Sequence, residues 1–175
     1  MEEHDKLSRF EQAILPHMDA AHNLARWLTH NDDDAQDVVQ EAYLRAFKFF
    51  GGFRGGDSRA WLLRIVRNTC YTWLQQNRKQ QPMTEFDEEI HSTEIGDSGP
   101  DTILLQKADG ELVRRALEEL PPEFREILVL RELEGLSYKE IADVAGIPMG
   151  TVMSRLARAR TQLQKCVADL LDKEA

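Results

Sequence analysis

Leu7, Phe10, Ile14, Met18, Ala21, Ala25 and Leu28 recur at steps of three and four, the spacing that puts side chains on one face of an α-helix. Pro16 falls inside this run; it has no N–H to donate and its ring crowds the preceding turn, so a kink or a restart is predicted there. Asn31-Asp32-Asp33-Asp34 offers capping side chains and negative charge to the N-terminus of the next helix. In that helix Ala35, Val38, Val39, Ala42, Tyr43, Ala46, Phe47 and Phe50 form a nearly unbroken apolar face. Gly51-Gly52 and Gly55-Gly56 bracket a flexible loop. A third helix is predicted from about Ser58 to Asn77, with Trp61, Leu62, Ile65, Val66, Cys70, Trp73 and Leu74 on its packing side.

From Pro82 to Asp101 acids, Ser, Thr, Gly and Pro replace the periodic apolar residues, the texture of a linker. Helical spacing resumes from Ile103 to Leu120 and is stopped by Pro121-Pro122. Phe124, Ile127, Leu128 and Leu133 carry a further helix closed by Gly135. Ser137-Tyr138-Lys139-Glu140 reads as a capping box, opening a short helix with Ile141, Ala142 and Ala145 that stops at Gly146. Pro148 suits the first turn of a last helix reaching into the 160s, on which Val152, Leu156, Ala159 and Leu163 share one face. No sustained period-two alternation and no internal repeat interrupts this pattern. The expected fold class is all-α: two small helical domains, residues 1–81 and 109–175, joined by an acidic linker at 82–108, the C-terminal domain a helix-turn-helix.

The chain's 175 residues leave each domain only a modest core. A hydrophobic content of 42% excludes wholesale disorder, and no stretch approaches the roughly 20 apolar residues of a bilayer span. Met1-Glu2-Glu3-His4-Asp5 lacks the basic-then-apolar order of a secretion signal, so a cytoplasmic location is expected. Cys70 and Cys166 stand far apart without ligand spacing and read as plain thiols rather than redox switches. His4, His17, His22, His30 and His91 are scattered, with no zinc spacing, phosphate loop or nucleophile–base pair; neither an enzyme nor a metal or cofactor is expected.

A net charge of -9 opposes nucleic acid until its distribution is counted. Residues 51–81 carry +5 and residues 148–165 carry +4 with no acid, whereas residues 1–50 carry -5 and residues 82–124 carry -9. Screening over about 8 Å in physiological salt lets each basic island act locally.

Both islands coincide with helices that divide into two faces. On the last helix Thr151, Ser154, Arg155, Arg158, Gln162 and Lys165 lie opposite the packing face; hydroxyls near a helix N-terminus and arginines suit phosphates and base edges. On the third helix Arg64, Arg67, Asn68, Tyr71, Gln75 and Arg78 form one stripe whose cationic, amide and aromatic groups suit single-stranded DNA. The loop before it, Phe53-Arg54-Gly55-Gly56-Asp57-Ser58-Arg59, would shape a pocket for an extruded base. Asp37, Gln40, Glu41 and Lys48, with Leu44 among them, lie opposite the apolar face of the second helix, and their acidity favours a basic protein partner. A merely solvated face fits the spacing of each stripe as well.

These residues resemble the extracytoplasmic-function (ECF) group of sigma factors over nearly the whole length. Asp34-Ala35-Gln36-Asp37-Val38-Val39-Gln40-Glu41-Ala42-Tyr43-Leu44-Arg45-Ala46-Phe47 is similar to the family's polymerase-binding helix. Arg59-Ala60-Trp61-Leu62-Leu63-Arg64-Ile65-Val66-Arg67-Asn68 resembles the segment that reads and opens the −10 element. Leu120-Pro121-Pro122-Glu123-Phe124-Arg125-Glu126, Glu134-Gly135-Leu136-Ser137-Tyr138-Lys139-Glu140-Ile141-Ala142 and Pro148-Met149-Gly150-Thr151-Val152-Met153-Ser154-Arg155-Leu156-Ala157-Arg158-Ala159-Arg160 are close to the wording of its −35-binding domain.

The resemblance implies that residues 1–81 are a region 2 domain and 109–175 a region 4 domain. It implies that Asp37, Gln40, Glu41 and Leu44 meet the clamp coiled coil of core RNA polymerase. It gives −10 contacts to Arg54, Ser58, Arg59, Arg64, Arg67, Asn68 and Tyr71, with Asn68 and the loop at a flipped base. It gives −35 contacts to Thr151, Ser154, Arg155, Arg158 and Gln162, and attachment of the second domain to the polymerase flap. The linker would thread polymerase channels, an anti-sigma factor would control the protein, and the unbound chain would be a monomer without membrane insertion. Met153 departs from a position usually basic, and Ala157 from one often larger, which bears on promoter sequence. The rival reading is a stand-alone helix-turn-helix regulator, for which tight promoter binding without polymerase would speak.

Overall fold

Pro16 and the acidic run after Asn31 divide the N-terminal part as their chemistry requires. In the computed structural model, which describes residues 2–77 and 110–174, α1 (Glu2–Ile14) ends two residues before Pro16, a single 3-10 turn covers Leu15–His17, and α2 runs Met18–Thr29. His30 takes a left-handed conformation (φ 63°) and its N–H returns to Arg26 O at 2.9 Å, closing α2. Asn31 then caps α3 (Asp32–Phe49): its Oδ1 accepts from Asp34 N at 3.0 Å, and three aspartates meet the positive end of the helix dipole. A 3-10 turn at Phe50–Gly52 and a loop lead to α4 (Ser58–Gln76).

Among the described residues of the remainder, four α-helices follow the same logic, with one irregularity. α5 spans Gly110–Glu119 and α6 Pro122–Leu128, running directly into a π-turn at Val129–Leu133. α7 (Tyr138–Ala145) and α8 (Met149–Glu174) are separated by a three-residue turn in the order of a helix-turn-helix. No strand occurs among the described residues, and none of their helices is long and apolar enough to cross a membrane. The linker at 82–108, the start of α5 expected at Ile103 and the stripe residue Arg78 lie outside the described residues.

The described residues form two compact units: 2–77 with 139–147, and 110–138 with 148–174. In the first, α2, α3 and α4 pack mutually. Phe10, with no exposed surface, sits edge-on to Tyr43, Phe47 and Phe50 at 5.1, 5.2 and 5.3 Å between ring centroids. Each such pair adds about 0.5–1.5 kcal/mol beyond area burial. In the second, α5 and α6 pack on α8 through Leu112, Ala116, Phe124, Ile127, Leu156 and Ala159.

Three details depart from the expected pattern. Leu133, placed on the helix face with Phe124 and Ile127, is 52% exposed, because the i→i+5 bond from Glu134 N to Val129 O inserts an extra residue per turn and rotates it outward. Leu63 and Thr69 are buried in α4 although neither was on its predicted packing side; Thr69 is accommodated because its hydroxyl donates to Ile65 O at 2.7 Å. Pro148 precedes α8 instead of lying in its first turn, its carbonyl accepting from Thr151 N and Val152 N.

Candidate nucleic-acid interface

The loop before α4 is fixed at both ends and unusual in its middle. Phe53 stacks on Phe50 at 5.8 Å and packs against Trp61 at 5.1 Å, while its N–H bonds Phe50 O, so the entry is an aromatic anchor. Gly55 (φ 86°) and Gly56 (φ 94°) take backbone conformations that a side chain would strain. Asp57 caps α4 by accepting from Ala60 N at 3.0 Å. Arg54 is exposed on the loop; Ser58 is half-buried, with its Oγ 3.2 Å from His17 Nε2. Arg59 donates from Nη2 to Glu140 Oε2 at 3.2 Å. Neither His17 nor Glu140 was identified from the sequence as a neighbour of this loop: they stand 41 and 81 positions away, and no local pattern encodes such pairings.

Along α4 the stripe continues. Arg64 and Asn68 are exposed and Arg67 and Tyr71 half-buried, on one side by their three- and four-residue spacing. The Arg67 guanidinium lies 4.1 Å from the Tyr71 ring centroid, and its Nη1 donates to Asn68 Oδ1 at 3.3 Å. Three groups are thereby pre-arranged: a cation over a ring, and an amide with its oxygen oriented. A base can stack on such planes, and the amide NH2 remains to donate to a base edge.

The start of α8 presents the second basic surface. Gly146 (φ 69°) turns the chain after α7, its N–H on Ala142 O at 2.9 Å. Thr151, Ser154, Arg155 and Arg158 are half-buried and Gln162 exposed, while Val152, Leu156, Ala159 and Leu163 are buried on the other side. Ser154 Oγ donates back to Thr151 O at 3.2 Å, so its hydroxyl meets a partner as an acceptor. Met153 is 51% exposed among these polar residues. Arg160 turns aside to Glu132, with Nη2 to Oε1 at 2.8 Å.

A third surface, on α3, is acidic. Asp37, Gln40, Glu41, Leu44 and Lys48 are all exposed, Leu44 at 62%, opposite the buried Ala35, Val38, Val39, Ala42 and Ala46. Glu41 pairs with Arg45 at 2.7 Å across one helical turn. A large aliphatic side chain exposed to water, one turn after Glu41 and two after Asp37, has the composition of an anchor awaiting a protein partner.

Among the described residues no group of three or more His, Cys, Asp or Glu is placed to hold a metal ion. Burial, with Glu119 and Asp169 nearby, pushes the Cys166 thiol above its ordinary value and away from the reactive thiolate.

A loop-and-stripe helix followed later in the chain by two helices in helix-turn-helix order has a counterpart among known families. The chain matches sigma-70 region 2 over residues 13–80 and sigma-70 region 4 over residues 110–163. It is 35% identical to the RNA polymerase sigma-H factor of Pseudomonas aeruginosa over 170 residues, 93% of this chain and 88% of that protein. It is 37% identical to the ECF RNA polymerase sigma-E factor of Escherichia coli K12 over 145 residues, 79% and 76% of the two. It is 34% identical to the ECF sigma factor SigE of Mycolicibacterium smegmatis over 91% of this chain, but spans only 62% of that protein's length.

Among solved structures, the sigma factor RpoE of Bartonella quintana, in complex with the anti-sigma factor NepR, aligns with a TM-score of 0.69 at 28% identity, covering 91% of this chain and 97% of that one. CnrH in complex with the cytosolic domain of CnrY aligns with a TM-score of 0.60 at 27% identity, covering 95% and 89%. The chain belongs to the sigma-70 family and, within it, to the ECF sigma factors, proteins of promoter recognition and transcription initiation.

Proposed function

We propose that this protein is a dissociable specificity subunit that binds core RNA polymerase and lets it find, melt and start at promoters. The proposal divides the chain into a region 2 domain at 1–81, a connecting acidic segment at 82–108 and a region 4 domain at 109–175. The observation that carries it is the Arg67–Asn68–Tyr71 array on α4, the helix that follows the loop with two positive-φ glycines. A solvated helix face does not require a cation stacked on a ring and an amide oriented by that cation.

In this reading Asp37, Gln40, Glu41 and Leu44 on α3 dock on the polymerase clamp. Arg54, Ser58 and Arg59 with Asn68 hold an extruded base of the −10 element, Tyr71 offers its ring, and Arg64 and Arg67 hold the adjoining backbone. Thr151, Ser154, Arg155, Arg158 and Gln162 read the −35 duplex in the major groove, and the same domain attaches to the flap. Unstacking a base costs a few kcal/mol, which pocket contacts offset. The protein is not an enzyme in this scheme, needs no cofactor, works in the cytoplasm, and is held in check by an anti-sigma factor. A structural neighbour, the sigma factor RpoE solved with the anti-sigma factor NepR, supports that last element.

Run-off transcription from a genomic promoter library with sigma-free core polymerase tests the proposal. Discrete start-site-specific transcripts should appear only when the protein is added. Tight, sequence-specific promoter binding by the protein alone, with no such transcripts, would favour a stand-alone helix-turn-helix regulator.

A further inference from the structure

Pro16 interrupts an otherwise continuous amphipathic run, and the break has a product. By ending α1 at Ile14 and forcing a 3-10 turn, it leaves His17 facing the start of α4, with Nε2 3.2 Å from Ser58 Oγ. We propose that His17 is a positioning residue for the base-holding loop, fixing through the Ser58 hydroxyl how that loop presents itself to DNA. This rests on the reading of the loop and α4 as the −10 site.

The loop is anchored at its entry by the stack of Phe53 on Phe50 and Trp61. At its exit it has the Asp57 cap, local to α4, and two bonds from elsewhere in the unit, Arg59 to Glu140 and, on Ser58 itself, the bond to His17. Between these ends Gly55 and Gly56 give the backbone freedom that a pocket for a base cannot tolerate unless its ends are held. A serine hydroxyl has one donor and two lone pairs. If His17 donates from Nε2, the Ser58 O–H is left to donate to an incoming nucleotide; if His17 accepts, the Ser58 lone pairs are left to accept. Either tautomer ties one of the hydroxyl's three hydrogen-bonding directions to His17 and so restricts those left for DNA. His17 itself touches no nucleotide in this scheme.

The experiment uses full-length protein in holoenzyme on a promoter carrying a fluorescent base in the −10 non-template strand. His17→Ala, Ser58→Ala, the double variant and His17→Gln are compared for open-complex yield, with core-polymerase affinity and thermal midpoint measured alongside. Each single variant should lower the open-complex equilibrium by about twofold to tenfold, the range of one neutral hydrogen bond. The double variant should be no worse than the singles, and Gln, which can reach with an amide, should restore most of the loss. His17→Phe repeats the cycle with ring bulk retained, so lost packing alone cannot produce that result.

Multiplicative losses in the double variant, or losses that follow the thermal midpoint and are not rescued by Gln, overturn the inference. So do His17 and Ser58 variants without effect while Asn68→Ala still impairs opening, an outcome that leaves the −10 reading standing. Asn68→Ala without effect on opening removes that reading, and the inference with it.

Discussion

Arg125 brings a full charge to a position only 2% exposed, and the structure shows what it does there. Its Nη1 donates to Leu120 O at 2.8 Å and Glu118 O at 3.2 Å, satisfying carbonyls that the end of α5 would otherwise leave unbonded before Pro121. Removing the guanidinium strands buried acceptors, so Arg125→Ala should destabilise the second unit by about 1–3 kcal/mol, read as a lower urea midpoint with an unchanged slope. A surface arginine such as Arg64 replaced by Ala should change the stability by less than about 0.5 kcal/mol. From the sequence Arg125 was legible only as part of a family phrase, since helical spacing does not distinguish a buried arginine from a solvated one. Asn68, Arg67 and Tyr71 were legible because their spacing alone puts them on one stripe. The stacking of Arg67 on Tyr71 was not, because a rotamer choice is settled by packing.

Whole helices were easier to read than their irregularities. Caps and breakers are local chemistry, which is why Asn31, Pro16 and Gly146 fall where the sequence puts them. The π-turn at Val129–Leu133 has no such marker: a period of 3.6 cannot announce its own local failure, and so Leu133 was assigned to the wrong face. The exposed stripe of α3 is the element with the most direct test. Asp37→Lys with Glu41→Lys reverses two carboxylates on a surface whose only intrahelical loss is the Glu41–Arg45 pair, half-exposed on both sides and worth little. Helicity by circular dichroism should therefore stay unchanged while co-purification with core polymerase falls at least tenfold. A fall in helicity equal to the fall in binding would show that α3 was damaged rather than its docking face.

At the scale of the molecule, two basic helical surfaces are carried by a chain of net charge -9, with -9 held by residues 82–124 alone. Residues 82–109 of that acidic segment lie outside the described residues, yet their charge acts whatever their path, over a distance set by salt. Five of its acids, Glu85, Asp87, Glu88, Glu89 and Glu94, can be made Gln or Asn, removing five net negative charges without touching α4 or α8. The free protein should then bind duplex DNA more tightly than the unaltered chain at 50 mM salt. The two should converge as salt approaches about 0.5 M, where screening shortens to a few ångströms. Convergence would mean that long-range repulsion keeps the unbound protein off DNA, leaving promoter contact to the complex in which a polymerase holds both surfaces. A gap that persists at every salt concentration would instead mean that the segment covers a DNA-reading helix by direct contact.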